Sequence, residues 1–107
     1  MASVLNLSAQ KIEVGSYTFK DGSVYTGSLY NGKPNGTGRT IFKNGDSYEG
    51  DYVKGKRDGS GIYNYANGER YDGQWYQNQR HGRGTFFSLN NNRYEGLWYR
   101  DSKEGSG

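Results

Sequence analysis

Four tyrosines, Tyr25, Tyr48, Tyr71 and Tyr94, stand 23 residues apart, and each opens the same short phrase. Two residues on comes a glycine: Gly27, Gly50, Gly73 and Gly96. Two further on come Leu29, Tyr52, Trp75 and Trp98. A pair of glycines then returns, at Gly36 and Gly38, Gly59 and Gly61, Gly82 and Gly84, Gly105 and Gly107. A last glycine falls at Gly45 and Gly68, with Asn91 in that slot of the third copy. Upstream, Gly15, Phe19 and Gly22 fit the same frame as half a unit. Sixteen of the 18 glycines occupy such slots, so their abundance is phasing and not low complexity. A fixed period of this kind means stacked units, none of which can bury its apolar face alone.

Each unit reads as two strands and two turns. Residues 25–30, 48–53, 71–76 and 94–99 alternate with period two, as do 36–42, 59–65 and 82–88. Asn44-Gly45, Asn67-Gly68 and Asp21-Gly22 are the strongest short-range hairpin signal, from which both central residues are expected at positive φ. Only 31% of the residues are hydrophobic, close to a disordered composition. The 11 Tyr, 4 Phe and 2 Trp with a single Pro favour strands instead, and 18 Gly are too many for packed helices. The expected fold is all-β: a single-layer antiparallel meander of about eight strands.

Side chains of a strand alternate between faces. Tyr48, Gly50 and Tyr52 therefore share one face, and so do Gly61, Tyr63 and Tyr65 on the next strand. One side of the sheet becomes rows of aromatic rings interleaved with bare backbone. A chain poor in Leu, Ile and Val can bury apolar area in this way, because each ring covers about 150–250 Å².

The phrase Tyr-x-Gly-x-aromatic, a polar loop, Gly-x-Gly, an apolar strand, then Gly and a return to Tyr resembles the MORN (membrane occupation and recognition nexus) repeat. It covers residues 15–107: a partial unit 15–24, full units 25–47, 48–70 and 71–93, and a partial unit 94–107, with 1–14 as a non-repeat segment. Leu29 stands where an aromatic is usual, Ser88 for an apolar residue and Asn91 for glycine. The resemblance implies an elongated, twisted β-array that binds proteins or associates with membranes and cytoskeletal assemblies.

Two surfaces are candidates. The first is the aromatic face, Tyr25, Tyr48, Tyr71, Tyr94, Leu29, Tyr52, Trp75 and Trp98. It is either the array's core or a protein-binding groove for an extended segment or a helix, since a single layer leaves a broad apolar face open. The second is the loop edge, where Lys33, Lys54, Lys56, Arg57, Arg80, Arg100 and Lys103 outnumber Asp58, Asp101 and Glu104. The opposite turns are nearly balanced, with Lys20, Lys43, Arg70 and Arg93 against Asp21, Asp46 and Glu69. A one-sided basic edge suits anionic lipid or an acidic protein surface, or simply keeps the array soluble.

Catalytic chemistry finds no footing in the sequence. His81 is the lone histidine and is expected in solvent, with no nucleophile and third group to order it. Glu49, Asp72 and Glu95 recur on separate hairpins and read as a solvent-facing column, not a metal site. The Gly-x-Gly pairs lack the following helix of a phosphate loop. There is no Cys, which fits a reducing compartment and excludes thiolate metal sites. No apolar run is long enough for a membrane-spanning helix, and residues 1–14 do not read as a secretory signal. The net charge of +3 does not call for nucleic acid.

The sequence therefore predicts a non-enzymatic scaffold and protein-interaction module without cofactor, cytoplasmic, in a cytoskeletal or ciliary (axonemal, radial-spoke-like) assembly. The alternatives are a membrane-associating module and the targeting domain of a larger enzyme. Gly107 falls inside a unit, so strand 94–99 is expected to lack its neighbour and to accept an added strand from another chain. Val4, Asn6, Ile12 and Val14 are expected to pair with or fold over the first hairpin.

Overall fold

The computed structural model describes residues 12–103. The chain forms nine antiparallel strands in strict sequence order. They are β1 (Ile12–Thr18), β2 (Val24–Tyr30), β3 (Lys33–Ile41), β4 (Ser47–Val53), β5 (Lys56–Asn64), β6 (Arg70–Tyr76), β7 (Gln79–Phe87), β8 (Arg93–Tyr99) and β9 (Ser102–Lys103). The single-layer meander expected from the repeat is therefore present, with one two-residue strand beyond the eight. The array measures 59 × 27 × 20 Å.

The two kinds of turn are arranged differently from the expectation. At the Asp-Gly and Asn-Gly turns only the last residue has positive φ: Gly22, Gly45, Gly68, and Asn91 in the glycine slot. Phe19 brackets the first of them, its carbonyl accepting from Gly22 N–H and its own N–H donating to Ser23 O. This is a three-residue loop closed by a glycine in the left-handed region, the type I turn with a G1 bulge. The paired positive φ values occur in the loops read as longer and polar: Asn31-Gly32, Lys54-Gly55, Gln77-Asn78 and Arg100-Asp101. These are two-residue hairpins, whose backbone twist matches that of the strands. The second strand of each unit consequently starts three residues earlier than its glycines suggest, at Lys33, Lys56 and Gln79.

Starting early forces an irregularity. Gly27 pairs with Gly38 and Leu29 with Pro34, so Asn35–Thr37 bulge opposite the single Ser28. The same happens for 58–60 opposite Asp51 and for 81–83 opposite Gln74. Gly36, Gly59 and Gly82 sit in these bulges at φ values of 100°, 112° and 81°, which explains the first glycine of each pair. The repeat tyrosine completes the bulge. Tyr25, Tyr48 and Tyr71 each donate their hydroxyl to the carbonyl of Ser28, Asp51 or Gln74, at 2.7, 2.9 and 2.9 Å.

The second glycine of each pair lies beneath the same ring. A Cβ on Gly38, Gly61 or Gly84 would overlap the ring of Tyr25, Tyr48 or Tyr71. The core is one column of such rings. Tyr25, Tyr48 and Tyr71 have no exposed surface, and Leu29, Tyr52, Trp75 and Trp98 are at most 5% exposed. Neighbouring units interlock edge to face, with Tyr48–Trp75 at 5.4 Å and Tyr71–Trp98 at 5.3 Å between centroids, a favoured aromatic geometry. The indole N–H groups of Trp75 and Trp98 donate to the carbonyls of Gly61 and Gly84.

At the C-terminal end the structure differs from the sequence reading. Strand β8 does have a neighbour, because β9 pairs with Trp98 and Tyr99, while Tyr94–Leu97 have no pairing on that side among the described residues. Ile12 and Val14 pair opposite Tyr30 and Ser28 as part of β1. Val4 and Asn6 lie outside the described residues.

Candidate functional site

The eight residues read as either core or binding groove are mostly sealed. Seven of them are the buried core, and only Tyr94 is half-exposed. The physical reason is the glycine pairing: each ring lies against bare backbone on one side and the next unit's ring on the other. Burial raises the hydroxyl pKa of Tyr25, Tyr48 and Tyr52 above the ordinary tyrosine value, and that of Tyr71 to about 12. What this face leaves accessible is a second row, Tyr17, Phe19, Phe42, Tyr63, Tyr65 and Phe86, half-buried against the column. Phe19, Phe42 and Tyr65 are themselves 23 residues apart. Their common spacing is legible in the sequence, but their place above the column depends on the glycine floor beneath it.

Two of the seven basic edge residues do not belong to the edge. Arg57 and Arg80 are paired opposite Tyr52 and Trp75, hence on the aromatic face. Arg57 Cζ lies 4.8 Å from the Trp75 ring centre, and Arg80 Cζ lies 4.5 Å from that of Trp98. Both guanidinium groups thus close over the core by cation–π contact. The early start of β5 and β7 moves these arginines from loop to strand. Lys33, Lys54, Lys56, Arg100 and Lys103 do stay exposed. Lys103 Nζ lies 5.0 Å from the Tyr94 ring centre.

The same arginine positions lock one unit to the next. Gly55, Asn78 and Asp101 donate their backbone N–H to the carbonyls of Pro34, Arg57 and Arg80 at 2.8, 2.9 and 2.9 Å. Asn78 Oδ1 and Asp101 Oδ1 accept the backbone N–H of Arg57 and Arg80 in return. Across the other turns Asp46, 8% exposed, accepts from the Tyr63 hydroxyl and from Ala66 N–H, both at 2.7 Å.

The opposite face carries the charged column Glu49, Asp72 and Glu95, all exposed as expected. It also carries an exposed line, Tyr30, Val53, Tyr76 and Tyr99, at the 23-residue spacing. His81 is not the free surface residue its sequence context suggests. The bulge at 81–83 turns it between the Tyr76 and Tyr99 rings, 5.7 and 5.4 Å between centroids, and its Nδ1 is buried without a partner. No Ser or Asp orders it among the hydrogen bonds of the described residues. No group of His, Cys, Asp and Glu suited to a metal ion occurs among the described residues.

A family model for the MORN repeat matches residues 14–24, 25–47, 48–70, 71–93 and 94–107, five consecutive units. The chain belongs to the MORN repeat family. Its half-units and full units coincide with the tyrosine column and its glycine floor. MORN repeats are interaction modules that engage proteins or membranes. No curated protein matches the chain.

Proposed function

We propose that this MORN array is a non-catalytic scaffold that holds a segment of a partner protein along the half-buried row of its aromatic face. The observation that carries the reading is the row itself: Phe19, Phe42 and Tyr65 are half-exposed at one spacing, with Arg57 Cζ 5.6 Å from the Phe42 ring centre and Arg80 Cζ 5.9 Å from that of Phe86 in the same row. Aromatic rings and arginines that are rigidly held and partly desolvated are the usual anchors of protein interfaces. The core beneath is already satisfied by its own rings, so a partner need only cover the second row. The setting we propose is a cytoskeletal or ciliary assembly in the cytoplasm, where a long repetitive surface suits a fixed spacer. A photoreactive phenylalanine placed at Phe42 should crosslink a partner in cells, and one at Tyr76 on the other face should not. Crosslinks confined to Tyr76 would reject the assignment of this face.

A second reading is favoured by one observation. Lys33, Lys54, Lys56 and Arg100 are exposed together on the edge formed by the two-residue turns. Each basic residue near an anionic membrane contributes about 1 kcal/mol. Vesicles containing phosphatidylserine, sedimented at low and high salt with the chain and with its Lys33→Glu, Lys54→Glu, Lys56→Glu variant, test this. Sedimentation that the variant does not reduce would exclude the edge as the contact.

A further inference from the structure

The structure assigns to Arg57 a pocket for a carboxylate, and we propose that a glutamate or aspartate side chain of the partner protein fills it. The internal comparison is decisive. Arg57 and Arg80 occupy the same slot of successive units, and each donates Nη2–H to the backbone carbonyl of the following turn, at Asn78 and Asp101. At Arg80 the turn also supplies a counter-charge, because Asp101 Oδ1 accepts from Nε–H at 3.0 Å. At Arg57 the turn supplies a neutral amide. Its Nε is buried with no hydrogen-bond partner, and among the described residues no carboxylate lies within ion-pair distance of it.

A half-buried guanidinium with an unmatched charge is costly, and a planar carboxylate is its best geometric complement. Room for one is present. A cavity of about 150 Å³ opens beside Arg57, lined by Phe19, Asp21, Ser23, Phe42 and Tyr52. Ser23 is 1% exposed and its hydroxyl likewise has no partner. The repeat differs here. In the next unit Asp46 occupies the Ser23 slot and accepts from Tyr63 and Ala66, whereas the Tyr63 slot of the Ser23 unit holds Thr40, whose hydroxyl is bonded to Tyr52 instead. The pocket thus sets a guanidinium without a counter-charge in an aromatic frame, suited to one anionic head on an apolar stem. Asp21 on the rim, with Oδ1 accepting Ser23 N–H at 2.8 Å, disfavours a doubly charged phosphate and leaves a monoanion as the better fit.

This inference rests on the protein-binding reading for the source of the carboxylate, since Phe19 and Phe42 belong to the proposed docking row. The pocket itself can be tested without the partner. The whole chain, labelled with ¹⁵N, is titrated with acetyl-Gly-Glu-Gly-amide, with its Gln counterpart and with inorganic phosphate. The Glu peptide should produce a saturable shift of the Arg57 Nε–H and Trp75 indole resonances and leave Arg80 Nε–H unmoved; the Gln peptide should not. Asn78→Asp places a carboxylate where Asp101 stands in the next unit, in a left-handed turn position that Asp101 shows aspartate tolerates. That variant should keep the spectrum of the folded chain and lose the response, as should Arg57→Gln. An unmoved Arg57, an equal shift at Arg80, an unchanged titration in Asn78→Asp, or a stronger response to phosphate would each overturn the assignment. Binding of the Glu peptide together with failed crosslinking at Phe42 would leave the pocket standing and reject only the docking row.

Discussion

Gly61→Ala isolates the feature on which the core depends. Gly61 lies in β5 between Gly50 and Gly73, and it is buried. Its φ is not positive, so alanine meets no backbone strain there. The obstacle is the Tyr48 ring, whose Cε1, Cζ and Oη atoms occupy the place of the new Cβ. To admit the methyl the ring must tilt, and tilting separates its hydroxyl from Asp51 O, now 2.9 Å away. Overpacking of a close-packed core costs about 1–3 kcal/mol. The lost hydrogen bond adds about 1 kcal/mol. The expected loss is therefore about 2–4 kcal/mol. Leucine at position 48 ends short of the three overlapping atoms. In a Tyr48→Leu background the same Gly61→Ala change should cost less than about 1 kcal/mol, because alanine also restricts the unfolded chain. Urea melts of the four proteins close a double-mutant cycle with a coupling of about 2–3 kcal/mol. Equal costs of Gly61→Ala in the two backgrounds would refute the view that glycine is there to make room for the ring.

Other expectations follow from the same packing. Trp75→Ala should lose about 3–5 kcal/mol in denaturant melts, as for large aromatic truncations in cores, whereas Tyr76→Ala, 52% exposed on the other face, should lose under about 1 kcal/mol. Tyr71→Phe keeps the ring but leaves the Gln74 carbonyl without its hydroxyl donor, so it should cost about 1–3 kcal/mol by the same measurement. Burial raises the Tyr71 pKa from 10.0 to about 12, so the folded state holds its proton where the unfolded state has released it. Stability should accordingly be flat below about pH 10 and fall as the pH rises toward about 12, with the last part of the phenolate absorbance appearing together with the loss of circular dichroism. All of the phenolate absorbance rising with one midpoint at about pH 10 while the fold stays intact would contradict this burial. Asp46→Ala should leave the Tyr63 hydroxyl and Ala66 N–H without their acceptor and lower the thermal midpoint more than Asp58→Ala, which removes only the 3.4 Å contact to Gln77 N–H.

The 23-residue period was sufficient for the class of fold, the strand order and the face to which each tyrosine and tryptophan points. Those properties follow from alternation and nearest-neighbour stacking, which are local and repeat with the sequence. Parity likewise puts Tyr30 and Tyr76 on the face opposite the column. It did not show which of the two loop types is tight. Lys54-Gly55, Gln77-Asn78 and Arg100-Asp101 carry weaker turn signals than Asn44-Gly45, yet they form the two-residue turns. Only the pairing of whole strands reveals the bulge that makes this register possible. From that register came everything the sequence left open about the candidate site: Arg57 and Arg80 on the aromatic face, His81 between two tyrosines, and the column sealed beneath a second row. Whether a ring is core or surface depends on what lies across the sheet from it. Gly38, Gly61 and Gly84 are distant in sequence from the tyrosines they floor, and their effect exists only once the strands are side by side.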